Sequence, residues 1–168
     1  MYLEFFKDAQ PDQIKGEIKP AYLYFKEVPI RIKETFKEKA DNLKFIVILK
    51  NPVDRAYSHY WMEYKRNKET LKFEYAIINE LIYERRYPQH RVFSYIDRGF
   101  YSEQILNWFK FFRREQFKFI IFEEFIAEQN KIMNEILKFL CVEKEYKFEN
   151  KIVFKNDYPP LNESLKIF

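Results

Sequence analysis

A chain of 168 residues with 47% hydrophobic and 33% charged side chains is long enough to bury one core and too apolar to stay disordered. Its net charge of +4 is spread along the sequence, without the dense basic stripe of a nucleic-acid binder, so no nucleic-acid partner is expected. One cysteine, Cys141, and two histidines, His59 and His90, exclude an internal disulfide framework and offer no zinc spacing, so no metal is expected.

No apolar run approaches the roughly 20 residues needed to cross a bilayer, and the opening MYLEFFKDAQPDQ is too short and acidic for a signal peptide. A soluble protein of a reducing, cytoplasmic compartment is the expectation. Repeats, low-complexity tracts and Pro/Gly/Ser-rich linkers are absent, so residues 1–168 read as a single domain.

In chain order, a weak helical pattern covers about Pro29 to Lys37 through Ile32 and Phe36. The clearest strand follows at Lys44 to Leu49, an apolar, β-branched run of the kind buried on both faces of a parallel sheet. A helix then begins at Asn51 with Pro52 as its first residue and runs to about Asn67. Val53, Ala56, Tyr57, Tyr60, Trp61 and Tyr64 fall on one continuous face of it, which reads as core.

A weaker helix spans about Phe73 to Tyr83, and Tyr101, Ile105, Trp108, Phe109 and Phe112 mark another after Gly99. Phe117 to Phe122 is the second strand, and Ile132, Ile136, Phe139 and Leu140 trace the last helix, with Cys141 expected to be buried beside it. Residues 13–18 and Phe148 to Lys155 are candidates for extra strands. Strands alternating with helices predict an α/β parallel sheet flanked by helices, although two strands are few for a stable sheet.

In an open parallel sheet, ligands bind beyond the carboxyl ends of the strands, where helix N-termini present N–H groups and partial positive charge. Lys50 lies at such an end, and Asn51, Arg55 and Ser58 project within about 60° of one another on the helix that follows. A phosphate at this junction would meet amides, a point charge, a guanidinium fork and a hydroxyl. On residue pattern alone a structural reading stands beside it, with Arg55 paired to a carboxylate and Ser58 facing solvent. His59, off the tyrosine stripe, and His90, in RYPQHR, read as surface residues.

The run LKNPVDRAYSHY at 49–60 resembles the signature by which sulfotransferases of the heparan sulfate and related bacterial type hold the 3'-phosphate of 3'-phosphoadenosine 5'-phosphosulfate (PAPS). Lys50 stands where many members have arginine, which keeps the charge but loses the bidentate fork. GEIKPAYLYFKEVPIRIKE at 16–34 and RGFYSEQILNWFKFFRREQFKFIIFEEF at 98–125 are similar to further family segments in the same order. MYLEFFKDAQ is similar to the stretch that precedes them, and the tail FENKIVFKNDYPPL is faintly similar to a closing cofactor loop, which would bring Lys155 to the nucleotide. Glu17 matches a recurrent family glutamate, with an exposed strand-end carboxylate as its plain structural reading.

The resemblance implies a P-loop NTPase-like α/β fold, truncated at the N-terminus, with Lys50, Arg55, Ser58 and Lys155 binding the nucleotide. The family's phosphate loop, a Lys-x-Gly-Thr-type turn, has no counterpart, since Gly16 lies in KGEIK and Gly99 in RGFYS. The family's usual catalytic carboxylate lies upstream of the matched region, so no catalytic residue is assigned. The absent first strand would lie between the two strands seen here, so that either those strands pair directly, the chain is a fragment of a longer product, or another polypeptide completes the sheet.

The implied activity is transfer of a sulfuryl group from PAPS to a hydroxyl or amine acceptor of carbohydrate type. The partners implied are that nucleotide, the acceptor and a completing chain or second copy. A non-catalytic remnant that binds nucleotide or assembles with a complete subunit is the alternative.

Overall fold

The computed structural model describes residues 4, 6–10, 13–82, 89–142, 146–149 and 157–162. Helix α1 spans Val28–Phe36 and a 3-10 turn, Lys37–Asn42, leads into strand β1, Phe45–Leu49. Helices α2, Pro52–Lys65, and α3, Phe73–Ile82, come next, and a 3-10 turn at Asp97–Gly99 precedes α4, Tyr101–Phe109. Strand β2, Phe117–Ile121, passes directly into a short helix α5, Phe122–Ala127, and α6 covers Gln129–Phe139. The sequence periodicity finds both strands and every α-helix among these except α5, whose six residues are too few to display a helical repeat.

The strands β1 and β2 pair directly and in parallel, Phe45 opposite Phe117 and Leu49 opposite Ile121. Of the outcomes expected where a central strand is absent, direct pairing is the one found: the backbone groups that such a strand would engage are satisfied by the other strand. Residues 13–18 form no strand, and neither do 146–149, while the rest of the Phe148 to Lys155 candidate lies outside the described residues.

One face of the sheet carries Phe45, Val47, Phe117 and Phe119, which pack with Trp108 and Phe112 of the α4 region and with Ile32 and Phe36 of α1. Phe45 alone lies within 5.1 Å of three rings, those of Trp108, Phe112 and Phe117, an edge-and-offset arrangement favoured by ring quadrupoles. Buried Gln116 stitches this core: its Nε2 donates to the carbonyls of Ala40 and Leu43, both at 2.9 Å, and its Oε1 accepts from the Arg113 amide at 3.0 Å.

On the other face only β2 is covered, where Ile120 packs against Ile132 and Ile136 of α6 and Lys118 pairs with Glu135 at 2.7 Å. Ile46 and Ile48 of β1 remain 39% and 51% exposed, so the expected burial of this strand on both faces is not found among the described residues. A second core joins α2 and α3 through Ala56, Tyr60, Ala76 and Tyr95. The stripe on α2 thus points inward at its centre and loosens at its edge, with Tyr57 and Trp61 half-buried and Tyr64 43% exposed. Cys141, expected in the core, is exposed with φ 62°, where the chain turns out of α6.

Replacement Trp108→Ala is expected to destabilise the fold by about 3 to 5 kcal/mol, seen as a lower urea midpoint at unchanged slope. Tyr64→Ala is expected to stay within about 0.5 kcal/mol in the same measurement.

Candidate functional site

Parallel pairing brings the carboxyl ends of both strands to one edge, and the segments leaving that edge meet. Lys50 follows β1 directly; its carbonyl accepts from the Tyr101 hydroxyl at 2.9 Å, and its Nζ sits 5.4 Å from the centre of the Phe122 ring. Asn51 caps α2, with Oδ1 accepting from the amides of Val53 at 2.9 Å and Asp54 at 3.3 Å. Its own amide donates to Glu123 Oε1 at 3.0 Å.

These contacts correct the expectation that free amides at this helix start would receive a phosphate. Pro52 has no N–H, the next two amides bond to the Asn51 side chain, and the Glu123 carboxylate occupies the amide before them. An anion here depends on side chains.

The last turn before α4 comes close to the same point, because a Cβ on Gly99 would meet Pro52 Cβ at 3.1 Å. Glycine permits this approach, which carries Tyr101 to Lys50. Sequence reasoning placed Tyr101 in the apolar stripe of α4 and so missed its polar contact; its place two residues after Gly99 was the available signal.

Arg55 turns inward, and its Nη2 donates to the carbonyl of buried Tyr95. Its Nε is buried with no hydrogen-bond partner, as is Nε of Arg98. Burial lowers the pKa of both guanidiniums, with Tyr101 and Glu80 among the groups that oppose the shift at Arg55 and Tyr24 and Glu63 among those at Arg98. Ser58 lies half-buried one turn further along α2. Lys50, Arg55 and Ser58 thus follow one another along the β1–α2 segment, with the Tyr101 hydroxyl donating to the Lys50 carbonyl and acting electrostatically on Arg55. Lys155 lies outside the described residues. Glu17 is exposed and accepts from the Tyr22 hydroxyl at 2.8 Å, and the residues around it form no strand.

Behind Arg55 the structure buries several ionisable groups that the sequence placed outside or did not single out. Glu80 of α3, 5% exposed, accepts from the amides of Tyr95, Ile96 and Asp97 at 2.7 to 3.0 Å. A lone carboxylate inside the apolar run AIINELI was its only trace in the sequence. The Tyr24 hydroxyl donates to Asp97 and lies 2.8 Å from Ser94 Oγ, and burial raises its pKa. Among the described residues no cluster of His, Cys, Asp and Glu has the makings of a metal site.

His90 is half-buried, its Nδ1 accepting from the amides of Val92 and Phe93, both at 3.2 Å. His59 is 8% exposed and stacks edge-on to Tyr95. Both corrections to the surface reading have one reason: the loop 89–97 folds back over α2, which a helical wheel does not contain. Burial, with Arg98 and Arg55 nearby, lowers the His59 pKa to about 3, so the ring is neutral and Glu63 Oε1 at 3.9 Å is neither its ion-pair nor its hydrogen-bond partner.

Because the unfolded imidazole protonates near pH 6.5 and the folded one near about 3, stability is complete above pH 6.5 and falls as the pH drops toward that lower value. Between pH 7 and pH 5.5 the parent is expected to lose about 1 kcal/mol more unfolding free energy than His59→Gln, measured by urea titration at both pH values.

The Sulfotransferase domain family profile matches residues 26–156. The chain is 29% identical over 136 residues to heparan sulfate glucosamine 3-O-sulfotransferase 5 of Mus musculus, covering 79% of this chain and 37% of that protein. It is 27% identical over 164 residues to the bifunctional heparan sulfate N-deacetylase/N-sulfotransferase 3 of Mus musculus, covering 91% of this chain and 18% of that one. The chain thus spans little more than a third of the curated 3-O-sulfotransferases it matches. A sulfotransferase from Alicyclobacillus acidocaldarius superposes with TM-score 0.80 at 25% identity, over 98% of this chain and 62% of that structure. With a matching profile across most of its length and the same α/β parallel-sheet fold, the chain belongs to the sulfotransferase domain family.

Proposed function

We propose that residues 1–168 are a single, partial sulfotransferase domain that binds the 3'-phosphate of PAPS for sulfuryl transfer to a hydroxyl or amine on a carbohydrate. The observation that carries this reading is the β1–α2 segment, where Lys50, Arg55 and Ser58 stand in one short stretch inside the region matched by the family profile. The carbohydrate acceptor rests on the heparan sulfate sulfotransferases among the relatives. A cytoplasmic setting is part of the proposal and rests on the single free cysteine. Among the described residues no helix is long and apolar enough to cross a membrane.

The residues fit such an anion. Arg55 keeps a buried Nε without a partner, and its hydrogen-bonded nitrogen meets a neutral carbonyl, which leaves the cation's charge uncompensated at that contact. Lys50 supplies a second charge from the end of β1, beside the aromatic ring of Phe122. Ser58 supplies a hydroxyl that donates to a phosphate oxygen. With the α2 amides engaged by Asn51, these three side chains are the donors assigned to the phosphate, and Lys155 is assigned as a fourth contact on the nucleotide.

Bound PAPS contributes the activated sulfuryl group. This chain's part is to anchor and orient the nucleotide through the phosphate remote from the reacting sulfur, so that binding energy is spent on alignment for in-line transfer. No group of this chain is assigned to deprotonate the acceptor.

Calorimetric titration with 3'-phosphoadenosine 5'-phosphate, against adenosine 5'-phosphate as comparison, tests the reading. The 3'-phosphorylated nucleotide is expected to bind more tightly, and Lys50→Ala and Ser58→Ala each to cost about 1 to 3 kcal/mol of that binding with little effect on the comparison ligand. Equal binding of the two nucleotides by the folded chain would overturn the assignment and favour a remnant without this pocket.

A further inference from the structure

We propose that Glu80 is a positioning residue for the phosphate site: its buried carboxylate gathers three consecutive backbone amides and thereby holds the Tyr95 carbonyl that aims the Arg55 guanidinium. The inference rests on the reading of Arg55 as a phosphate ligand and extends it to residues far from it in sequence.

The chain of contacts is continuous. Glu80 Oε2 accepts from Tyr95 N at 2.7 Å and from Ile96 N at 2.9 Å, and Oε1 accepts from Ile96 N and Asp97 N, both at 3.0 Å. Tyr95 is completely buried, and its hydroxyl donates to Glu69 Oε2 at 3.0 Å. Glu69, 2% exposed, is itself fixed by the amides of Thr70 and Leu71, both donating to Oε1 at 2.9 Å. Tyr95 is thus held by one carboxylate at its backbone and by another at its ring, and its carbonyl accepts from Arg55 Nη2.

Charge explains why this arrangement suits an anion site. A carboxylate bonded directly to Arg55 would neutralise the guanidinium and compete with a phosphate. Glu80 instead spends its hydrogen bonds on amides, and a neutral carbonyl orients the cation. Glu80 still acts on Arg55 through space, favouring its charged form against the cost of burial. Two buried carboxyl groups therefore brace the site without occupying it, as outer residues orient the inner ligands of metal centres.

The test uses the 15N-labelled full chain and Glu80→Gln, in which one of the two acceptor oxygens becomes an amide donor. Two quantities are read: solvent exchange of the Arg55 Nε–H resonance, assigned with Arg55→Lys, and the affinity ratio of 3'-phosphoadenosine 5'-phosphate to adenosine 5'-phosphate. In the folded variant the exchange is expected to accelerate about tenfold and the ratio to fall about tenfold, with affinity for adenosine 5'-phosphate unchanged.

A folded Glu80→Gln chain that keeps both the slow Arg55 signal and the parental ratio overturns the inference. A parent chain with no preference for the 3'-phosphate overturns the phosphate reading, and the role given to Glu80 falls with it, whatever the Arg55 signal does. If Glu80→Gln does not fold, Glu80→Asp carries the same measurements, since it keeps the carboxyl group but draws it back by one methylene from the three amides that hold the Tyr95 carbonyl. About a threefold change in both quantities is then expected, and none would overturn the inference.

Discussion

The parallel register of β1 and β2 is the constraint on which the rest of this structure depends. With Leu49 opposite Ile121, the chain leaves both strands at the same level, and the next residues of each, Lys50–Asn51 and Phe122–Glu123, are brought into contact. The Lys50 amine over Phe122 and the Asn51 amide on Glu123 follow from that. A slip by one residue would turn Phe45 and Val47 off the aromatic core and separate these segments in the same step. Packing and site geometry are therefore one requirement here, held by the rings of Phe45, Phe117 and Trp108.

A second organising feature is the concentration of ionisable groups between α2, α3 and the loop that leads to α4. Glu63, Glu69 and Glu80 are at most 5% exposed, with His59 close behind at 8%. Arg55 and Arg98 reach into the same region. Burying charge costs several kcal/mol per ion unless partners are supplied, and the partners here are mostly backbone groups: amides for Glu69 and Glu80, carbonyls for Arg55 and Arg98. His59 meets the same cost by remaining neutral. Such costs gathered beside a strand end, rather than scattered, are a signature of sites that handle charged ligands.

The family relationship sets the scale of this arrangement. Nearly the whole chain superposes on a larger sulfotransferase, of which it covers 62%. Within the described residues the sheet has two strands, and its α6 face is half covered, with Ile46 and Ile48 of β1 partly open beside the packed Ile120. Among the described residues, Asn51, Glu123, Tyr101 and Tyr95 support the segment that carries Lys50, Arg55 and Ser58.

By itself the sequence determined whatever depends on neighbours a few residues away. The β-branched run before Lys50, the Asn51–Pro52 helix start, the stripe through Ala56 and Tyr60 and the left-to-right order of helices and strands all follow from local geometry and periodicity. The family signature around Lys50, Arg55 and Ser58 was legible for the same reason, being contiguous. Only the tertiary structure decided the direct pairing of the strands, the burial of His59, the exposure of Cys141 and the engagement of the Asn51 amide by Glu123. It alone connected Glu80 to Arg55 through the carbonyl of Tyr95. The strand pairing, the burial of His59 and the link from Glu80 hang on contacts between residues 15 to 72 positions apart, such as Glu80 with Tyr95 and Asn51 with Glu123, and a hydrophobic period records which face of a helix is apolar, not which distant segment comes to cover it.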